Sequence, residues 1–173
     1  MRTALLLICL LNILATESKA QDVLENNITA ELGYRQGAIH LGATYVRGAD
    51  PIRWGGYLFY QSENKVADAI RANQLISIGA MSKFFILNTQ KGVAYIGPGI
   101  GMSEIRNFHD IYAGNPNRFD KLFFGTIFKI GGQLSLTPTM KMGLEYMKIS
   151  DWCQAEIIDS LTEYSSLTMA FEF

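Results

Sequence analysis

The sequence predicts an all-β chain, an eight-stranded antiparallel up-and-down transmembrane β-barrel. Three observations predict it. Beyond residue 20 the chain reads as eight segments in which apolar residues alternate with polar or small ones. The connections between those segments are alternately short and long. No stretch beyond residue 20 reaches 18 consecutive apolar residues, so no helix is expected to cross a bilayer. A membrane strand needs only about 9–11 residues with every second one apolar, and it leaves this weaker kind of signal.

The segments follow in order, each with period two. The first, about 27–35, sets Ile28, Ala30, Leu32 and Tyr34 against Thr29, Glu31, Gly33 and Arg35. The second, about 37–47, sets Ile39, Leu41, Ala43 and Tyr45 against His40, Gly42 and Thr44. The third, about 52–62, sets Trp54, Leu58 and Tyr60 against Arg53, Gly55 and Gln61. The fourth, about 73–86, sets Ile76, Ile78, Ala80, Phe84 and Ile86 against Ser77, Gly79 and Lys83.

The fifth, about 92–104, places Gly97, Gly99 and Gly101 on one face and Ile96, Pro98, Ile100 and Met102 on the other. Pro98 cannot donate to a ladder, so a bulge or interruption is expected beside it. The sixth, about 121–136, sets Leu122, Phe124, Phe128, Ile130, Leu134 and Leu136 against Gly125, Lys129, Gly131, Gln133 and Ser135. The seventh, about 139–149, sets Met140, Met142, Leu144 and Tyr146 against Lys141, Gly143 and Glu145. In the last, Leu167, Met169, Phe171 and Phe173 oppose Ser166, Thr168, Ala170 and Glu172. Phe59, Phe123 and Ile127 fall on the polar face and Met147 interrupts the seventh segment. A small barrel filled by side chains accommodates such residues.

Gly48-Ala-Asp-Pro51, Asn88-Thr-Gln-Lys91 and Thr137-Pro-Thr139 are short connections rich in turn formers. The gaps from Ser62 to Ala72, Ile105 to Asp120 and Ser150 to Glu163 are long, and only the first connection on that side, Arg35-Gln-Gly37, is short. One rim is therefore trimmed and the other elaborated, as in barrels with short periplasmic turns and longer external loops. An even strand number places both termini on the short-turn, periplasmic side.

The final strand, which stops on Phe173, resembles the C-terminal signal strand of bacterial outer-membrane barrels. With the Tyr95-x-Gly97-x-Gly99-x-Gly101 strand and the loop asymmetry, the chain resembles the small eight-stranded outer-membrane barrels of the outer-membrane protein A, X and W and opacity-protein type. The resemblance implies an outer-membrane location in a Gram-negative cell. It also implies that Leu167, Met169, Phe171 and Phe173 form the signal read by the barrel assembly machinery. The expected partners are that machinery and outer-membrane lipid. The 173 residues do not include the peptidoglycan-binding domain of the outer-membrane protein A group, so the resemblance gives no reason to expect cell-wall anchoring.

Two domains are expected: a signal peptide over 1–20 and the barrel over 21–173. Met1-Arg2 gives a positive start, Ala4 to Leu14 an apolar run broken only by Asn12, and Ser18-Lys19-Ala20 a cleavage site. Cleavage removes Arg2, Glu17 and Lys19, leaving 13 basic and 15 acidic side chains. That balance offers no reason to expect nucleic acid. It also removes Cys9, and Cys153 alone cannot form an internal disulfide.

On the inward faces fall Glu31, Arg35, Arg53, Lys83, Glu104, Lys129, Lys141, Glu145 and Glu172. Charges shielded from water need partners. We therefore expect a lumen network holding Glu31, Glu145 and Glu172 against Arg53, Lys129 and Lys141. Such a network closes and rigidifies the barrel, or gates a small pore.

No catalytic set, cofactor site or metal site is expected. His40 has no acid, serine or second histidine spaced near it. Outer-membrane lipid A deacylases use a His-x-Ser pair, whereas this chain reads His109-Asp-Ile111 in its longest loop. The last loop, with Trp152, Ile157 and Ile158, is expected to contribute aromatics to the interfacial girdle. The expected function is non-enzymatic: a structural or surface-interaction role with at most a small pore. Two alternatives are a lipid-modifying barrel enzyme and an exported lipocalin-like barrel that binds a ligand. The second would have its apolar residues inside.

Overall fold

The computed structural model describes residues 25–35, 38–62, 70–71, 74–110, 119–151 and 163–173. The expected signal peptide over 1–20 lies outside the described residues, as do Cys153, Trp152, Ile157 and Ile158.

Nine strands are described: β1 (Glu25–Arg35), β2 (Ala38–Ala49), β3 (Ile52–Gln61), β4 (Ile70–Arg71), β5 (Gln74–Thr89), β6 (Gly92–Asp110), β7 (Phe119–Ser135), β8 (Met140–Asp151) and β9 (Glu163–Glu172). Eight of them form an antiparallel meander. The order runs β6-β5-β3-β2-β1-β9-β8-β7, and β7 pairs back onto β6, so the sheet closes on itself. Closure joins the first and last strands: Asn27 pairs with Glu172 and Gly33 with Ser166. Asn26 and Phe173 exchange both backbone hydrogen bonds, at 3.0 and 3.1 Å. A closed barrel leaves no edge strand along its wall.

The segments fall within a few residues of the predicted ones, with two differences at the long-loop rim. The gap from Ser62 to Ala72 contains β4, whose Ile70 and Arg71 pair with Asp110 and His109 of β6. The gap expected from Ile105 begins later: Ile105 to Asp110 continue β6, with an irregularity between Ile105 and Phe108. Pro98 lies mid-strand, where the β5–β6 ladder skips Ser82 and Lys83. Its missing donor is thus accommodated by a local break, with the register shift itself further along at Phe85 and Leu87.

The faces settle which side is inside. Leu32, Leu58, Ile78, Ile100, Phe124, Leu144 and Leu167 are among the large apolar residues exposed on the outer surface. Glu31, His40, Arg53, Lys83, Lys129, Lys141 and Glu145 are buried in the lumen. A soluble ligand-binding barrel requires the opposite arrangement. Phe59, Phe123, Ile127 and Met147, the residues that break the alternation of polarity, point inward and are buried.

Glycines set the bore. On the inward face of β6, a Cβ at Gly101 would stand 2.1 Å from Tyr57 Oη, and one at Gly99 2.6 Å from Ile127 Cγ2. Bare backbone on β6 is therefore what lets side chains from β3 and β7 cross the lumen. Gly33 does the same beneath the His40 ring, and Gly131 beneath Tyr95.

Candidate functional site: the barrel lumen

Alternation on each strand sends every second side chain inward, and strand tilt brings together residues from different rungs. Among the described residues the lumen is filled in three tiers.

The tier at the short-turn rim centres on Arg53. Its guanidinium contacts Glu25, lies 2.9 Å from Asp50 Oδ1 and 3.2 Å from Glu172 Oε1. Lys141 Nζ is 2.6 Å from the other oxygen of Glu172. The Phe85 ring lies 4.4 Å from the guanidinium carbon, a cation–π geometry.

The middle tier centres on Lys129. Its ammonium contacts Glu31, lies 2.9 Å from Glu145 and donates to Thr44 Oγ1 at 3.1 Å. Thr44 also donates to Glu31 at 2.9 Å, and Tyr95 donates its hydroxyl to Glu145. Lys83 donates to Thr29 at 2.8 Å and sits 4.4 Å from the centre of the Tyr95 ring. Two cations and two carboxylates thus share this level, so its formal charge balances, as a water-poor interior requires.

The upper tier is aromatic and apolar. His40 packs against Phe59 and Tyr164, with centroids 5.6 and 5.2 Å away. Beyond it Leu75, Ile105, Phe123 and Ile149 belong to one buried cluster with Phe59 and Tyr164. Beside it Ser103 donates to Ser77 at 2.8 Å.

The structure thus brings the six expected network residues into two groups: Lys129 with Glu31 and Glu145, and Arg53 and Lys141 with Glu172. Sequence reasoning missed Glu25, Asp50, Thr44 and Tyr95 as members, and did not join Lys83 to them. Asp50 lies in a turn and Tyr95 reads as an interior aromatic, so neither carries a charge-pairing signal. Glu104 is not in the lumen. Alternation keeps it on the outer face with Met102, where it pairs with Arg106 at 2.9 Å. The side chain of Arg35 lies outside the described ones, as does that of His109.

His40 has a serine beside it after all. Its Nε2 lies 2.9 Å from Ser166 Oγ, because Gly33 pairs with both residues. The pair is sealed, with 0% of His40 and 3% of Ser166 exposed. A serine nucleophile must reach its substrate, so this contact reads as packing within a polar lumen. Among the described residues, no cluster of three His, Cys, Asp or Glu side chains could hold a metal ion.

No protein-family model matches the chain, and no curated protein matches it. Solved structures do. The N-terminal β-barrel domain of Pseudomonas aeruginosa OprF aligns with a TM-score of 0.59 at 14% identity, over 90% of this chain and 100% of that one. Neisserial surface protein A aligns with 0.54 at 12% identity, over 87% and 96%. The Yersinia pestis outer-membrane protein Ail, in a phospholipid bilayer nanodisc, aligns with 0.50 at 12% identity, over 87% and 100%. At such identities the likeness establishes the fold: the chain has the eight-stranded antiparallel barrel of small outer-membrane proteins.

Proposed function

We propose that this chain is a non-enzymatic integral protein of the outer membrane, exported by a signal peptide over 1–20, with both termini on the periplasmic side. Its barrel serves a structural role or carries surface contacts on the long-loop rim. The observation that supports this reading best is the reversal of faces: an apolar outer wall around a charged, hydrogen-bonded lumen. Exposed apolar area on this scale is costly in water and favourable in lipid. In the proposed role, the Glu31, Arg53, Lys129, Lys141, Glu145 and Glu172 network rigidifies and closes the barrel. Leu167, Met169, Phe171 and Phe173 act as the assembly signal.

The test is fractionation with heat-modifiability. A band in the outer-membrane fraction that migrates differently before and after boiling supports the reading. Recovery only from a soluble fraction sinks it.

A further inference from the structure

Charge is scarce on the outer wall. Among the described side chains, three strand cations point outward: Arg47 on β2, Arg106 on β6 and Lys148 on β8. Arg106 lies 2.9 Å from Glu104, and Lys148 lies 3.3 Å from Glu163. Arg47 differs. Among the described residues, no carboxylate, hydroxyl or carbonyl pairs with its guanidinium.

Parity and register place it. Thr44 and Val46 are buried and Tyr45 is exposed, so Arg47 shares the outer face with Tyr45. Across the ladders it stands opposite Asn26 on β1 and Trp54 on β3. Its neighbours along and across the strands, Val46, Gly48, Asn26 and Trp54, all belong to the described residues, and none carries an anion. Asn26 is engaged on both sides of its amide: the nitrogen donates to the Phe173 carbonyl at 3.0 Å, and the oxygen accepts from Tyr45 Oη at 2.9 Å. The carboxylates of this rim are turned to the lumen, where Glu25 contacts Arg53 and Asp50 lies 2.9 Å from it.

Arg47 does not lie clear of the apolar wall. Ile52 pairs with Ala49, two positions closer to the turn. Ile86, two positions past the Phe84 that pairs with Ile52, is 50% exposed. Apolar outward residues thus continue on the rim side of Arg47, and Trp54 beside it is 65% exposed. This is the border of the wall, where a long basic side chain carries its charge to the headgroups and tryptophan settles at the same level. The Trp54 indole N–H has no acceptor among the described residues either. Two cross-strand partners therefore present unmatched donors to the same point outside the chain.

We infer that Arg47 and Trp54 bind the phosphodiester of one singly anionic phospholipid, in the leaflet on the short-turn side. The guanidinium is a planar fork of N–H donors that matches two oxygens of one phosphate. The indole N–H supplies a further donor. The site carries one positive charge and faces no outward carboxylate, so an ethanolamine or choline headgroup leaves its own cation without a partner. A glycerol headgroup brings the phosphate's negative charge alone. The inference rests on the membrane reading above.

Native mass spectrometry tests it, on the full chain extracted from membranes and titrated with phosphatidylglycerol, phosphatidylethanolamine or phosphatidylcholine. One phosphatidylglycerol should be retained per barrel, at least about fivefold over the other two lipids, the factor that one cation contributes near a charged lipid surface. Arg47→Gln should remove that preference. Trp54→Phe, which keeps a ring and deletes the donor, should weaken it. Lys91→Gln, which removes an exposed cation from the turn between β5 and β6, should leave it intact. The Arg47 and Trp54 variants change only outward side chains, and unchanged heat-modifiability verifies their folding. Equal retention of the three lipids overturns the site. So does a preference that survives Arg47→Gln or Trp54→Phe, or one that Lys91→Gln removes equally. Those outcomes leave the membrane reading standing, whereas absence of the chain from the membrane extract overturns both.

Discussion

Lys129 Nζ stands 2.9 Å from Glu145 Oε1 in the middle of the lumen, and only 1% of each side chain is exposed. The same ammonium contacts Glu31, whose side chain is equally buried. One cation thus holds two carboxylates that would otherwise face each other out of water. Lys129→Ala is expected to destabilise the barrel by about 3–5 kcal/mol, the cost of leaving buried charge uncompensated. The urea midpoint of the protein folded in vesicles measures it. Adding Glu31→Gln and Glu145→Gln to Lys129→Met should restore most of the loss. If Lys129→Ala and Glu145→Ala left both stability and conductance unchanged, the network would have no structural role.

Closure is expected to be redundant. Arg53 fills the short-turn rim, but the Lys129 tier and the His40, Phe59 and Tyr164 tier lie beyond it. In planar bilayers the wild-type protein should show no single-channel steps, and Arg53→Ala should show none either. Steps from Arg53→Ala alone would mean that the inner tiers move aside.

The glycines should divide sharply. Gly101→Ala places a methyl against Tyr57 Oη and 2.6 Å from the Ile78 carbonyl oxygen. Backbone cannot yield as a side chain does, so the variant should lose about 1–3 kcal/mol. Gly132→Ala meets open space and should match the wild type or exceed it slightly, since glycine weakens a strand. Urea midpoints in vesicles compare the two.

The outer wall offers a test of orientation. Ile100→Arg should cost about 2–4 kcal/mol in a lipid bilayer if the residue lies near the midplane, and less nearer an interface. The same substitution in a soluble barrel would cost little, because Ile100 is exposed. Folding equilibria in vesicles give the value.

Phe173→Ala separates assembly from stability. The backbone bonds between Phe173 and Asn26 survive the change, and the Phe173 side chain is 69% exposed. Refolding into vesicles should be nearly unaffected. The heat-modifiable fraction in cells should fall several-fold if the terminal aromatic is read by the assembly machinery.

Most of the fold was legible because strand parity is a strong local signal where one face meets lipid. Leu167, Met169, Phe171 and Phe173 announce their face, and so does the glycine stripe of β6. Legibility failed where that contrast ends. Ile105 to Asp110 extend β6 past the expected end, and Ile105 and Phe108, three positions apart, do not keep a period of two. Ile70 and Arg71 of β4 are too few to show one. Glu104 was misplaced because charge was weighed above parity, while its neighbour Met102 marked it as outward. The lumen was legible in part. Inward charges could be named from alternation, but their pairing depends on tilt. His40 and Ser166 are 126 positions apart and meet only because both flank Gly33.

The bare inner face of β6 makes that strand the thin side of the wall. The width of this lumen is decided less by how many strands enclose it than by which strand has been stripped. Trimming Tyr57, Met81 and Ile127, whose side chains lean over Gly97, Gly99 and Gly101, would hollow a passage along β6 without changing the circumference. An engineer seeking a nanopore from this scaffold would carve there.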